Sequence, residues 1–438
     1  MAHTGPLAGI RILEFSQIVA GPFAGVALSD MGADIIKVEP LRGEDRRNSG
    51  AVVPNEGKYF QSLNRGKRSL TVDLGTPDGQ ALIHRIIPGF DVVLLNYRAG
   101  VAERLNIGYE RLSAINPRLV YANITGFGEK GPHVHRAGSD IVAQAYSGLM
   151  AAEGKVDEHG APQSLQSSTF IDRTTGLAAA MGICAALLHR ERTGKGQELH
   201  VSLLQTALEL LSDKVMREPV HDSVLRDPLI AELHEKRDSG ARYDEIANVR
   251  KQQAPRFASH RLFYGGYHTR RGAIVLGALT MQNRNTIRRI LGLDDTTDTA
   301  GFNAADPENR RLLEAWRESI QAKLLERDAE EWVATFIEAG VPASVVQQPE
   351  DLADDPHVVA AGMMIPMEHA MTGPQQVVGP LVHMSLTPTE ALRPAPPLAS
   401  HTREVLLECG LDESDVGALV AAGVEIVRDA AAVAAKAA

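Results

Sequence analysis

The feature that most constrains the fold is the alternation of β-rich runs with helical segments through the first third of the chain. A β-rich run at residues 10–15 is followed by a helical stretch at 23–31 and a second β-rich run at 33–38, which is the length of one parallel βαβ crossover. Further extended runs are predicted at residues 67–73, 91–96 and 118–125. This rhythm predicts an α/β fold built around a parallel sheet.

The length of 438 residues predicts more than one domain. Residues 1–216 contain the α/β alternation and form the predicted large domain. Residues 217–260 are charged, without a clear apolar stripe, and are predicted to be an exposed linker. Residues 261–340 mix an extended stretch with helices and are predicted to form a smaller inserted α+β domain. Residues 341–438 are predicted to return to the large domain, ending in an Ala-rich stretch.

Composition limits the kinds of partner. Apolar residues make up 44% of the chain and charged residues 23%, as in soluble globular proteins. The formal charge of −10 argues against a general nucleic-acid binder, although a local basic patch could hold an anionic ligand. The two cysteines, Cys184 and Cys409, form no disulfide framework. No secretory signal or membrane span is predicted, so we expect a cytoplasmic protein without a membrane partner.

Two short motifs in one loop suggest ligands that their context does not favour. Residues 126–131 satisfy G-x-G-x-x-G, but Pro132 and a loop follow where a dinucleotide site needs a helix. His133 and His135 form an H-x-H pair without a neighbouring carboxylate or Cys motif, so an exposed loop is favoured over a metal site. We therefore predict neither a nicotinamide cofactor nor a metal.

Charged residues near predicted strand and helix ends are the candidates for chemistry. Asp172 stands at the start of a predicted helix, where an Asp most often caps the first turn; the same helix end would stabilise its ionised form. Asp140 taken alone is predicted to be a surface acid. Arg98, Arg104 and Arg136 each follow a predicted strand end, the edge where open α/β sheets bind ligands, and together they make a cationic site plausible.

Nearly the whole chain resembles the class III CoA-transferases, the CaiB/BaiF family that includes formyl-CoA:oxalate and carnitine CoA-transferases. The resemblance rests on ordered blocks: LAGIRILEFSQIVAGPFAGVALSDMGADIIKVEP from Leu7, YFQSLNRGKRSLTVDL from Tyr59, DVVLLNYRAGVAERL from Asp91, NPRLVYANITGFGEKGP from Asn116, SDIVAQAYSGLM from Ser139 and IDRTTGLAAAMGICAALLHRERTGKGQ from Ile171. The segments GVPASVV from Gly340 and LADDPHVVAAGMM from Leu352 resemble the family's closing part.

The resemblance implies an activity and a site. The family's nucleophilic aspartate opens the long helix that ends in R-x-x-T-G-x-G-Q, a place that Asp172 occupies here. Such enzymes move CoA from an acyl-CoA to a free carboxylic acid through aspartyl anhydride and aspartyl-CoA thioester intermediates. CoA would be a substrate, with no permanently bound cofactor, and Asp140 would be a possible auxiliary residue. The residues expected at CoA are Ile18, Val19, Ala20, Arg42, Val72, Asn96, Tyr97, Arg104 and Arg136.

The same resemblance implies a Rossmann-like large domain built from both chain ends, a small inserted domain and a homodimer of interlocked rings. Pro40 stands where many members have a basic residue, so adenine-end contacts are expected to move to Arg42 or elsewhere. The glycine-rich loop of some transferases has at best a shortened counterpart in Gly265-Gly266.

Two rival functions stay open. Related α-methylacyl-CoA racemases carry G-H-D where this chain has Gly138-Ser139-Asp140, so the histidine base for α-proton exchange is missing. A non-catalytic CoA-binding protein would bind acyl-CoA without turnover, and the presence of Asp172 argues against it only moderately.

Overall fold

The computed structural model describes residues 5–252, 262–304, 306–422 and 427–428. The chain divides into two compact units. The first comprises Met1–Lys155, Gln163–Met216 and Pro356–Ala438, and the second comprises Val156–Pro162 and Arg217–Asp355.

The first unit is built around one mainly parallel sheet. Its six parallel strands are β1 Arg11–Glu14, β2 Asp34–Glu39, β3 Lys67–Val72, β4 Val92–Leu95, β5 Val120–Thr125 and β6 Gln197–Ser202. They lie in the order β3-β2-β1-β4-β5-β6, and the two residues Val427–Arg428 pair antiparallel with β3 at the edge. The predicted α/β fold with a parallel sheet is therefore confirmed.

Successive residues of the central strands enter two different hydrophobic cores, one on each face of the sheet. Ile12, Ile35 and Val92 belong to one core, and their next neighbours Leu13, Ile36 and Val93 belong to the other. All six side chains are fully buried. A strand buried on both faces needs an almost continuous apolar sequence, which explains the Ile/Val/Leu runs that predicted these strands.

Helices cover both faces of this sheet. They are α1 Ala20–Asp30, α2 Lys58–Ser62, α3 Pro77–Ile86, α4 Val101–Arg104, α5 Tyr109–Ile115, α6 Asp140–Ser147, α7 Leu149–Glu153, α8 Phe170–Thr193, α9 Leu203–Glu209 and α10 Ser212–Val215. The closing segment adds a hairpin of Met364–His369 with Gly373–Val378, and helices Pro356–Ala360, Thr402–Glu408 and Glu413–Ala422.

The second unit has its own antiparallel sheet and core. Its strands are β7 Tyr264–His268, β8 Ala273–Gly277 and β9 Ala343–Val345, in that order. Its helices are α11 Pro219–His221, α12 Asp227–Asp238, α13 Tyr243–Gln252, α14 Met281–Leu291, α15 Pro307–Leu324 and α16 Ala329–Glu338. Trp332 and Phe336 of α16 are buried in this core.

Three features of the second unit differ from the sequence-based expectation. Residues 217–252 of the expected linker carry helices and cluster with this unit, while 253–260 lie outside the described residues. The boundary falls after Asp355 rather than 340, because β9 pairs with β8. Gly265 and Gly266 lie within β7, opposite Leu276 and Val275, and form no loop. In the first unit, the Ala-rich stretch 429–438 lies outside the described residues.

Candidate functional site

A cavity of about 530 Å³ opens at the carboxyl ends of β1, β4 and β5. Its wall includes residues 17–20 after β1, residues 96–99 after β4 and residues 124–126 at the end of β5. Parallel strands present their connecting loops at this edge, which is where open α/β sheets bind ligands. Asp172 completes the wall from α8.

Close packing of α8 against α1 brings Asp172 to the cavity. A Cβ added at Gly176, one helical turn beyond Asp172, would lie 2.5 Å from the Ala20 carbonyl oxygen. Only glycine leaves room for the two backbones to approach this closely. Asp172 is therefore held beside Val19 and Ala20, where α1 begins.

Asp172 lies in the first turn of α8 but does not cap it. The helix starts at Phe170, two residues before Asp172, with Thr169 as the residue before it. The Asp172 N–H donates to Asp140 Oδ2 at 3.0 Å. Among the described residues, no group hydrogen-bonds the Asp172 carboxylate, which is left to face the cavity.

Burial changes the expected ionisation of Asp172. Its side chain is 9% exposed. Burial, together with the nearby Asp140 and against the opposing effect of Arg46, raises the pKa of Asp172 to about 7. Desolvation and a second carboxylate therefore outweigh the stabilisation of the ionised form that was expected from the helix end.

Asp140 is buried, not the surface acid that local sequence suggested. It is the first residue of α6, and its two carboxylate oxygens have different partners. One accepts a hydrogen bond from Gln144 Nε2 and the other accepts the Asp172 N–H. Asp140 thus satisfies a free amide at the start of α8 and places a negative charge beside Asp172.

The structure brings together most of the residues predicted to contact CoA. Six of these nine residues line the cavity together with the predicted nucleophile Asp172: Ile18, Val19, Ala20, Asn96, Tyr97 and Arg136. Three others do not. Val72, the last residue of β3, is buried in the hydrophobic core. Arg104 lies on α4, outside the cavity wall. The Arg42 guanidinium lies 3.7 Å from the Asp45 carboxylate. The roles of all ten residues stay predictions.

Other residues at the site were not assigned by sequence reasoning. Gln17 and Ser139 also line the cavity. Each is adjacent in sequence to a predicted site residue, Ile18 or Asp140, and this adjacency was the only sequence signal that could have identified them. Arg98 also lines it, and its place after β4 had already marked it as a candidate cation. Arg46, whose charge acts on Asp172, comes from a short 3₁₀ turn at Asp45–Arg47 that no local pattern connects with α8.

Two guanidinium groups give the cavity a cationic character. Arg98 and Arg136 line it, and neither has an ion-pair partner among the described residues. The Arg136 guanidinium lies over the rings of Phe127 and Tyr146, at 5.3 and 5.6 Å from their centroids. An anionic ligand could therefore bind with part of its structure against Asp172. The fold and the cavity are those of an α/β protein with a cationic ligand-binding edge.

Comparison with known proteins identifies the family. The chain matches CoA-transferase family III over residues 7–402 and therefore belongs to that family. It is a class III CoA-transferase. The family recognised from the sequence blocks is confirmed.

Three similar proteins cover almost the whole chain. Succinyl-CoA:glutarate CoA-transferase of Homo sapiens is 33% identical over 430 residues, which is 97% of this chain and 91% of that protein. Succinate–glutarate CoA-transferase of Agrobacterium fabrum is 31% identical over 411 residues, 92% of this chain and 95% of that protein. A CaiB/BaiF family protein from Brucella suis, known from its crystal structure, is 28% identical in sequence with a TM-score of 0.71. The match covers 93% of this chain and 100% of that chain.

Proposed function

We propose that this enzyme transfers CoA from an acyl-CoA to a free carboxylic acid, with the Asp172 carboxylate as a covalent nucleophile. The observation that carries the proposal is the free, cavity-facing carboxylate of Asp172 among loops at the carboxyl ends of three strands. Family membership supports CoA transfer, and the position of Asp172 supports the covalent route.

The proposed first half-reaction converts Asp172 into a thioester. The carboxylate attacks the acyl-CoA carbonyl carbon, the C–S bond breaks, and a mixed anhydride and CoA thiolate result. The thiolate then attacks the Asp172 carbonyl carbon, which releases the donor as a free acid and leaves an aspartyl-CoA thioester. The second half-reaction runs the same two steps with the acceptor acid and restores the carboxylate.

The charges around Asp172 suit this exchange. A carboxylate whose pKa is about 7 is half ionised at neutral pH and is a stronger base than an exposed one. Val19 and Ala20, at the start of α1, line the cavity, and the helix dipole there would stabilise negative charge that develops on an attacked carbonyl. Arg98 and Arg136 would bind anionic groups of the substrates.

Adduct trapping tests the covalent role. The enzyme is incubated with an acyl-CoA without acceptor, digested, and the peptide that contains Asp172 is analysed by mass spectrometry. An acyl or CoA adduct on Asp172 is expected. The Asp172→Asn variant should give no adduct and no transfer, whereas Asp78→Asn, which changes an exposed acid in the first turn of α3, should behave as wild type. Transfer by Asp172→Asn at the wild-type rate would refute the nucleophile.

We propose dicarboxylic acids as acceptors. Two similar proteins are named for succinyl-CoA or succinate with glutarate, and the second carboxylate of such an acid could pair with Arg98 or Arg136. A panel of dicarboxylic, aromatic and branched monocarboxylic acids, each with succinyl-CoA, tests this. Dicarboxylic acids should give the highest kcat/KM. Exchange of the donor's α-proton with solvent deuterium in the absence of any acceptor would instead favour a racemase.

We also propose that the enzyme is a homodimer. Four large apolar side chains are exposed on α8: Phe170, Leu177, Met181 and Leu188. Their spacing of seven, four and seven residues places them on one face of the helix. Although α8 has the length and hydropathy of a membrane span, its opposite face is packed into the core of the first unit. An apolar stripe of this kind is typical of a surface covered by another subunit. The interlocking of two rings stays a prediction.

A further inference from the structure

The chain adopts an unfavourable backbone conformation at the cavity wall. Ile18 has φ of +71°, in the left-handed region. A β-branched residue rarely adopts this conformation because its Cβ crowds the backbone, and such outliers persist only where neighbouring groups enforce them. Ile18 and Asp172 line the same cavity, so the groups that enforce the Ile18 conformation also shape the site.

The Asn96 side chain holds the peptide group that precedes Ile18. Its Oδ1 accepts the Gln17 N–H at 2.8 Å, and its Nδ2 donates to the Gln17 carbonyl oxygen at 2.7 Å. The Gln17 carbonyl and the Ile18 N–H belong to one planar peptide unit. Fixing that carbonyl therefore fixes the plane from which the φ angle of Ile18 is measured.

A buried lysine holds the preceding carbonyl group. Lys37 Nζ donates to the Ser16 carbonyl oxygen at 2.8 Å, and both Lys37 and the Ser16 hydroxyl contact Glu14 Oε1. Lys37 and Glu14 have no exposed surface, so neither can contact a substrate. The Ser16 carbonyl group is thus held by Lys37 of β2, and the Gln17 carbonyl group is held by Asn96, which follows β4.

We propose that Asn96 is a positioning residue: its side chain acts through Gln17 to hold Ile18 in the left-handed conformation that the reaction requires. The inference rests on the proposed function and changes the role expected for Asn96, because both polar atoms of its carboxamide hydrogen-bond the Gln17 backbone. Within the described residues the Ile18 N–H has no protein acceptor, so it remains available to a ligand in the cavity.

Asn96→Leu tests the proposal, because leucine keeps the size of the side chain and removes both hydrogen bonds. A positioning role predicts that kcat falls about tenfold or more while KM for acyl-CoA changes less than about threefold. Direct binding of CoA by the carboxamide would instead raise KM at unchanged kcat, and that result would overturn the proposal.

Asn116→Leu is the matched control. Asn116 also uses both atoms of its carboxamide in hydrogen bonds to the backbone: Nδ2 donates to the Phe90 carbonyl oxygen at 2.8 Å, and Oδ1 accepts the Arg118 N–H at 3.1 Å. It precedes β5, at the sheet edge opposite the cavity. Asn116→Leu should keep kcat within about twofold of wild type; an equal loss in both variants would mean that Asn96 contributes only stability, and would overturn the proposal.

Two further measurements separate this proposal from the proposed function. Glycine accepts positive φ without strain, so adding Ile18→Gly to Asn96→Leu should restore part of kcat, whereas Ile18→Gly alone should not raise it. Hydrogen exchange of the peptide covering residues 16–20 should accelerate in Asn96→Leu and not in Asn116→Leu, whatever reaction the enzyme catalyses. Unchanged exchange, or no rescue by glycine, would overturn the positioning role; absence of CoA transfer by wild type would overturn only the function.

Discussion

At the scale of single residues, the family block singles out one carboxylate as the proposed nucleophile, but the sequence does not show its ionisation state. The sequence block from Ile171 resembles the family and puts Asp172 at the position of the family's nucleophile. In the structure, Asp172 lies on the cavity wall. Its ionisation depends on burial and on Asp140, which is 32 positions away along the chain. Neither is visible in local sequence, and the same holds for Arg46, because each contact is made only by the folded chain.

The raised pKa of Asp172 predicts how activity depends on pH. The nucleophile must be ionised, so kcat/KM should fall about tenfold per pH unit below pH 7, the pKa of Asp172 being about 7. Asp140→Asn removes a negative charge that raises this pKa and should move the midpoint to lower pH. Initial rates between pH 5 and 9 measure both. An unchanged midpoint in Asp140→Asn would show that Asp140 does not act on Asp172.

The same pKa predicts a cost in stability. The folded protein holds the Asp172 proton up to about pH 7, whereas an unfolded chain releases it near 3.8, so stability falls as pH rises between these values. Asp172→Asn removes this cost and should raise the free energy of unfolding at pH 8 by roughly 2–4 kcal/mol. Urea unfolding at pH 8 and pH 4 measures it. Equal stability of variant and wild type at pH 8 would contradict the buried, partnerless carboxylate.

At the scale of elements, strands buried on both faces were the most predictable part. The β-rich and extended runs of the sequence identified β1 to β5. The helices of 217–252 were missed because their charged sequence has no apolar stripe. The start of α8 was misplaced because Asp140, from α6, satisfies an amide of its first turn.

The contact between α1 and α8 predicts the effect of Gly176→Ala. The added Cβ would lie 2.5 Å from the Ala20 carbonyl oxygen, so the helices must separate. We expect a loss of roughly 1–3 kcal/mol in unfolding free energy and a lower kcat, because Asp172 moves with α8. Denaturant unfolding and steady-state rates measure both. Gly417→Ala, where a Cβ would meet no atom within 4 Å, is the control and should leave kcat unchanged.

At the scale of the whole molecule, the sequence alone supported an α/β fold of more than one domain, while the family and the homodimer came only from resemblance. Pairing of subunits depends on which face of a helix is left exposed. The composition of α8 does not show which of its faces is exposed, because Ala and Leu occur along most of the helix. The exposed stripe became visible only once the opposite face was seen packed in the core.

The exposed face of α8 predicts the effect of Met181→Glu. Met181 is 72% exposed in the single chain and lies in the middle of the stripe. A glutamate there would be buried without a partner in the proposed dimer, so the variant should dissociate at concentrations where wild type is dimeric. Light scattering after size-exclusion chromatography measures the mass. Lys195→Glu, beyond the end of α8, is the control. A monomeric wild type would contradict the proposed dimer.

The transfer of oxygen atoms tests the central claim most directly. In the proposed route the acceptor carboxylate attacks the Asp172 thioester, and the thiolate then takes the acceptor's acyl group, so one acceptor oxygen remains on Asp172. After turnover with acceptor labelled with ¹⁸O in both carboxylate oxygens, the Asp172 peptide should gain at least one ¹⁸O by mass spectrometry. An unlabelled Asp172 peptide after many turnovers would contradict covalent catalysis at this residue.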